Sequence, residues 1–225
     1  NLESRVLQLP KLVGEIDVVS PTLPMKQLKI PVAGSVATDF AKQTATVDLG
    51  VKLDQSNIKA KFSVADFAAL HSTFDIAIDK LNVDKYLPPK TSPQTANAPT
   101  PPTPEQPIDF TPLKTLATAG SVRIGELIAS NVKLQNLKVD LKAKDGKLVI
   151  DPLAANLYQG SVKGSVSVDA NTQHITIRQN LAGISIGPLL RDALNKDILE
   201  GRGNVVLDLR TTGNLVSVMT RALNG

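Results

Sequence analysis

Residues 44–54 read TATVDLGVKLD, and residues 58–64 read IKAKFSV. In both stretches apolar and polar side chains alternate, which is the period-two pattern of a β-strand with one apolar and one polar face. The segment between them, Gln55-Ser56-Asn57, has the composition of a turn. The alternation resumes at residues 74–78, after a short helical or irregular insert at 65–70. The pattern therefore predicts an antiparallel meander of strands joined by short connections.

The same alternation extends towards both ends of the chain. Upstream, residues 25–36 fit a strand that is interrupted at Pro31 and Gly34. Downstream, further strands are expected near residues 122–124, 132–143, 148–150, 162–168, 175–177 and 205–209. Apolar parity changes between Leu134 and Leu137, which predicts a bulge near Gln135-Asn136 that restores one apolar face. Such bulges are typical of a bent or coiled sheet.

Turn and helix signals complete the fold prediction. Asp145-Gly146 predicts a tight hairpin, residues 169–172 predict another turn, and a second parity change lies at Gly160. Short amphipathic helices are expected from Pro188 to Leu194 and from Asn214, as N-cap, to Gly225. The predicted fold class is mainly β: a long antiparallel curled sheet, half-barrel or sandwich-like, with a few short amphipathic helices.

A Pro-rich segment divides the chain. Nine prolines lie between Pro88 and Pro112, mixed with Thr, Gln, Ala and Asn. Because proline lacks the backbone N–H and has a fixed torsion, we expect an extended connector there. The predicted organisation is a β-rich segment at 1–87, a linker at 88–112 and a second β-rich segment with short helices at 113–225, which could continue the same sheet.

Composition excludes several function classes. The chain is 42% hydrophobic but only 3% aromatic, so its interior must be aliphatic, and it has no Cys for a disulfide, a thiolate metal site or a nucleophile. The net charge of +4 comes from basic and acidic residues that alternate along the chain, so nucleic acid is not an expected partner. His71 and His174 lie far apart without neighbouring ligands, and no Gly-x-Ser-x-Gly elbow is present. We expect no enzyme: no catalytic residues, no cofactor and no metal.

The apolar strand faces carry the functional hypothesis. A face of this size must be buried by closure into a barrel, by packing as a sandwich or by curling around an apolar ligand. A strand from Thr44 to Asp54 would be roughly 35 Å long, comparable with the hydrocarbon core of a bilayer. One interpretation is a groove that contacts acyl chains, and the other is an ordinary sandwich core filled by the same side chains. The candidate groove residues are Val47, Leu49, Val51, Ile76, Val122, Val139, Leu141, Val166, Ile177 and Leu207.

Several longer stretches resemble the AsmA-like family. In the second segment these are GSVRIGEL at 120–127, NVKL at 131–134 and DGKLVIDPLAANLYQGSVKGSVSV at 145–168. The closing stretch LEGRGNVVLDLRTTG at 199–213, followed by a helix ending at 223–225, is similar to that family's end-of-domain pattern. In the first segment, FDIAIDKLNVDKYLPP at 74–89 resembles a family strand that stops at Tyr-Leu-Pro-Pro before a variable linker. The resemblance covers most of the chain, and its specificity lies in the order and spacing of these motifs.

The resemblance implies a function in the Gram-negative envelope. It implies a periplasmic protein anchored in the inner membrane by an N-terminal helix, which this sequence does not contain. The family is similar to chorein-type, bridge-like lipid transfer proteins, in which a curled sheet presents a hydrophobic groove for phospholipid acyl chains. The implied partners are phospholipid or another acyl lipid, the membrane and an envelope protein, and the implied role is in outer-membrane assembly and lipid homeostasis.

Two further expectations concern the extent of the sequence and an alternative function. No stretch is long and apolar enough for a transmembrane helix. The sequence begins at Asn1, with neither an initiator Met nor a signal-peptide pattern, so we expect it to be a fragment. A non-catalytic structural or interaction module of the envelope, with a closed aliphatic core, remains the alternative function. In that case sheet edges or the C-terminal amphipathic end would bind other proteins.

Overall fold

The computed structural model describes residues 5–19, 27–68, 71–87, 107–196 and 199–223. Strands account for 68% of the structure and form one curled, unclosed sheet of eleven strands whose spatial order follows the sequence. The strands are β1 Val6–Val19, β2 Gln27–Asp39, β3 Thr44–Leu53, β4 Ser56–Ala65, β5 His71–Asn82, β6 Thr118–Ala129, β7 Val132–Lys144, β8 Lys147–Leu157, β9 Gly160–Asp169, β10 His174–Ser185 and β11 Arg202–Thr212. The helices of the described residues are α1 Thr111–Thr115, α2 Ile186–Leu194 and α3 Val216–Arg221, and a 3-10 turn lies at Val83–Lys85. The predicted fold class is confirmed.

Strand pairing joins the two halves of the chain into this one sheet. Neighbouring strands are antiparallel except β5 and β6, which pair in parallel from Ser72 opposite Thr118 to Asn82 opposite Ile128. A parallel pair requires a crossover, and the chain between these strands contains the Pro-rich segment. Residues 88–106 of the predicted linker lie outside the described residues. The last residues of that linker are described, and they include the beginning of α1.

The first hairpin differs from the prediction in two ways. The alternation pattern did not predict β1, and it indicated interruptions at Pro31 and Gly34, through which β2 in fact continues. A central strand rarely holds proline, because the missing N–H leaves a neighbouring carbonyl without a donor. β3 pairs with β2 only from Val32 onwards, opposite Val51. At Pro31, β2 therefore has β1 as its single strand neighbour among the described residues, and no bond to β3 is lost.

Bulges and tight turns explain the parity changes. The predicted bulge is confirmed: the β7–β8 register shifts between Gln135 and Lys138, and Asn136 has a φ of 53°. The parity change at Gly160 comes instead from a two-residue hairpin, because Leu157 pairs with Gly160 and both turn residues have positive φ. The Asp145-Gly146 hairpin and the 169–172 turn also form as expected, with Asp169 Oδ1 accepting the backbone N–H of Asn171 at 2.9 Å.

The helices form close to the expected positions. α2 begins at Ile186, two residues before Pro188, and lies against β7 and β10. α3 begins at Val216, so Leu215 and not Asn214 is the N-cap, and it makes no side-chain cap bond. The Asn214 carbonyl instead accepts the Ile108 backbone N–H at 2.7 Å, which ties the end of the crossover to the C-terminal segment. Gly225, the predicted end of the helix, lies outside the described residues.

Candidate functional site

The pairing register places all ten candidate residues on one side of the sheet, which we call the apolar face. One line of cross-strand partners, the Val47 row, crosses all eleven strands and contains only apolar residues and one glycine. The Val47 row consists of Leu9, Val36, Val47, Phe62, Phe74, Gly120, Leu141, Ile150, Val166, Ile177 and Leu209. Four candidates, Val47, Leu141, Val166 and Ile177, lie in it.

A second line of partners, the Leu49 row, runs beside the first. It consists of Leu12, Gly34, Leu49, Ala60, Ile76, Val122, Val139, Leu153, Gly164, Gln179 and Leu207. Five candidates, Leu49, Ile76, Val122, Val139 and Leu207, lie in this row. The tenth, Val51, occupies the next row, between Val32 of β2 and Ile58 of β4. Sequence alternation thus identified residues that the fold brings together, whereas their contact with a lipid remains a prediction.

The side chains of the apolar face remain partly accessible to solvent. Nine of the ten candidates are half-buried, and Leu207 is 39% exposed. Exposure is highest on the two edge strands, where Ile16 of β1 and Val205 of β11 are 54% and 45% exposed. An edge strand has a neighbour on one side only, so its side chains on this face keep a flank open to solvent. The apolar face therefore reaches both edges of the sheet without being closed off.

Few side chains are completely enclosed. The buried hydrophobic residues of the described part are Ile124, Ala143, Ala155, Leu157, Ala170 and Ile184, and no large side chain there is fully buried. Three of these six residues are alanines. A closed sandwich of this size would bury many Leu, Ile and Val side chains completely. The packing thus differs from that of an ordinary two-layer core.

Small side chains open a cavity at one end of the face. Its volume is about 390 Å³, and its lining includes five consecutive cross-strand partners from β3 to β7: Ala45, Val64, Ser72, Thr118 and Ala143. On four of these five strands the Val47 row carries the larger side chain, as at Phe62 and Leu141, whereas on β6 it has Gly120. The cavity volume is within the range of small-molecule sites in proteins. The alternation pattern alone did not identify this cavity, because it depends on which strands become neighbours.

A buried amide oxygen interrupts the Leu49 row. Gln179 lies in the Leu49 row between Gly164 and Leu207, and its Oε1 is buried without a hydrogen-bond partner in the described structure. Glycine at 164 leaves room for this amide, since a Cβ there would lie 2.0 Å from the Arg178 carbonyl oxygen and 2.6 Å from Gln179 Oε1. The position thus combines a close approach of two strands with a free acceptor.

A polar network holds α2 at the opposite end of the sheet. The Tyr158 hydroxyl donates to Asp192 Oδ2 at 2.7 Å, and Lys133 Nζ lies 3.0 Å from the same oxygen. Hydrogen bonds from Tyr158 and Lys133 hold the pKa of Asp192 below its usual range. Burial, followed by the hydrogen bond to Asp192, raises the pKa of the Tyr158 hydroxyl. These contacts connect α2 to β7 and to the β8–β9 turn.

The two histidines occupy separate positions on strands. His71 begins β5, and His174 begins β10 with its Nδ1 3.1 Å from Thr212 Oγ1. Within the described ranges, no group of three or more His, Asp or Glu side chains could hold a metal ion. Nothing in this arrangement adds a candidate catalytic residue to the sequence analysis.

Comparison with known proteins identifies the family. No curated protein and no solved structure matches the chain significantly. Among the described residues, no helix combines the length and hydrophobicity needed to span a bilayer. The model of the AsmA family matches residues 22–225, which include ten of the eleven strands. This match supports a membrane-associated role in assembly of the cell envelope in general. The chain belongs to the AsmA family.

Proposed function

We propose that the apolar face binds phospholipid acyl chains and conducts them along the rows of the sheet. The observation that carries this proposal is the Val47 row, an uninterrupted apolar path across all eleven strands. The side chains of this row remain partly exposed. At about 4.8 Å between strands, the path measures roughly 48 Å along the sheet. Each methylene that leaves water on such a surface contributes about 0.8 kcal/mol.

The chemistry of the face suits a mobile lipid. Val, Leu and Ile side chains make non-directional contacts, so an acyl chain can shift from one strand to the next without breaking specific bonds. The 390 Å³ cavity beside the Val47 row offers space where a chain end could leave the row. We further propose that the protein acts in the periplasm as part of an inner-membrane-anchored protein, supports outer-membrane assembly and lipid homeostasis, and catalyses no reaction.

The first experiment is native mass spectrometry with organic extraction of the chain purified from a Gram-negative host. Leu207 and Val206 form a matched pair, because they are neighbours on β11 whose side chains lie on opposite faces of the sheet. We expect co-purifying phospholipid in the unmodified chain and in the Val206→Asp control, and its loss in Leu207→Asp and Leu141→Asp. Far-UV circular dichroism checks that each variant retains its sheet.

The outcomes are distinguishable. Chain without lipid that also refuses added phospholipid would overturn the proposal and favour a structural module of the envelope. That alternative has one observation in its favour, since the edge strands β1 and β11 have no outer neighbour among the described residues. A mass that rises with protein concentration would support it. If Leu141→Asp fails to fold, the exposed position of Leu207 keeps the test valid, because that side chain is already 39% exposed.

A further inference from the structure

Charge is distributed unevenly on the polar face, which is the side of the sheet opposite the apolar face. Outside the end of β6 and β7 that lies beyond the bulge at Gln135-Asn136, the register aligns nine Lys and Arg side chains and three Asp side chains on the polar face of β6–β11, a surplus of six positive charges. On the polar face of β1–β5 it aligns four Lys side chains and five carboxylates. The positive excess among these aligned side chains therefore lies entirely on the second half of the sheet.

Four of these cations have carboxylate partners, and a fifth, Arg202, donates a hydrogen bond to Gln159 Oε1 at 3.5 Å. Arg123 lies 2.6 Å from Asp140, and Lys147 lies 3.8 Å from Asp169. Arg178 and Arg210 share Asp208, at 3.4 and 3.2 Å. Asp140, Asp169 and Asp208 thus each have at least one cation within 4 Å. Each remaining cation keeps its charge available to an outside partner.

The four remaining cations, Lys138, Lys142, Lys144 and Lys163, form what we call the lysine patch. All four are exposed, and none forms a salt bridge with another described residue. Lys138 and Lys163 flank Ala154 in one cross-strand line, so they lie on strands about 10 Å apart. Val149, 43% exposed, pairs with Lys142 in the same region. The separation of the Lys138 and Lys163 strands is about one Debye length at moderate salt, so both charges can act on the same small area of a nearby surface.

We propose that the lysine patch docks the second half of the sheet on a bilayer surface rich in anionic phospholipid. The surplus charge complements phosphate headgroups, and the exposed Val149 among lysines suits the boundary between headgroups and acyl chains. Binding of the patch to the bilayer would hold the sheet at the membrane, while the apolar face on the other side of the strands remains free. The inference does not depend on the lipid-binding proposal, because it concerns the opposite face.

Vesicle co-sedimentation tests the patch with a matched pair of double variants. Lys138→Gln/Lys163→Gln removes two patch charges, and Lys52→Gln/Lys59→Gln removes two exposed charges from the polar face of β3 and β4. Vesicles of phosphatidylglycerol in phosphatidylcholine are compared with phosphatidylcholine alone. We expect binding that needs phosphatidylglycerol and falls as salt rises. The patch variant should bind at least about tenfold more weakly, and the control variant should change by less than about twofold.

Three results would overturn the proposal: equal binding to both vesicles, equal losses in both double variants, or binding of soluble polyglutamate without binding of phosphatidylglycerol vesicles. The last would assign the patch to an acidic protein. Leu207→Asp separates this inference from the proposed function. It should lose co-purifying lipid but keep vesicle binding, whereas the Lys138→Gln/Lys163→Gln variant should do the reverse.

Discussion

The openness of the apolar face can be measured by truncating two leucines that lie on it. Leu157 ends β8 and is 8% exposed, whereas Leu207 on β11 is 39% exposed. Leu→Ala removes three carbon atoms, each worth about 0.8 kcal/mol when fully buried. At Leu157 a residual cavity adds to this loss, so we expect Leu157→Ala to lower the free energy of unfolding by about 3 kcal/mol. At Leu207 solvent can fill the space, and we expect about 1.5 kcal/mol.

Urea unfolding followed by far-UV circular dichroism is the suitable assay, because the chain has no Trp to report by fluorescence. An unchanged denaturant slope would show that both variants start from the same native and unfolded states. A lipid that binds the native state should stabilise the unmodified chain by mass action, and it should stabilise Leu207→Ala less. Equal costs of about 3 kcal/mol at the two positions would refute the reasoning, since the face would then be closed over Leu207 as well as over Leu157.

Two further predictions concern the backbone and α2. Gly164→Ala should lower the free energy of unfolding by a few kcal/mol, because the added Cβ would lie 2.0 Å from the Arg178 carbonyl oxygen. Gly14→Ala is the control and should be nearly neutral, since nothing lies within 4 Å of a Cβ there. The two variants are compared by their urea unfolding midpoints, and equal shifts would contradict the close strand contact at Gly164. Because the pKa of Asp192 is lowered in the folded protein, this carboxylate should contribute to the free energy of unfolding at neutral pH. The contribution should be complete above the ordinary Asp pKa of about 3.9 and should be lost as the pH falls through the lowered pKa. Tyr158→Phe should speed amide hydrogen exchange in α2 by about fivefold at neutral pH, and unchanged exchange in that variant would show that the network does not hold the helix.

Side-chain parity was readable from local sequence. In a strand, successive side chains point to opposite faces, so alternation at Val47, Leu49 and Val51 already determined which residues share a face. Hairpin turns were equally local, because Asp145-Gly146 tolerates the positive φ that the turn requires. The bulge at Gln135-Asn136 could be predicted because an extra residue in one strand is what keeps an apolar run on one face when its parity changes.

Long-range pairing was not readable in this way. β1 was missed, although Leu7 and Leu9 alternate with polar residues and the parity changes near Pro10, where its register shifts. Pro31 suggested an interruption, yet the proline is accommodated because the pairing of β3 with β2 ends at Val32 opposite Val51. The parallel pairing of β5 and β6 depends on a crossover, and nothing in either strand specifies its neighbour.

The sequence by itself determined the composition and parity of an aliphatic, mainly β protein, and its motifs identified the AsmA family. Only the tertiary structure decided which strands are neighbours. That choice leaves the apolar face open at β1 and β11, places small side chains around one cavity, and brings Lys138 and Lys163 into one cross-strand line although 24 residues separate them in the chain. The physical reason is that a side chain's direction follows from the local pleat, whereas its neighbours follow from hydrogen bonds between distant strands.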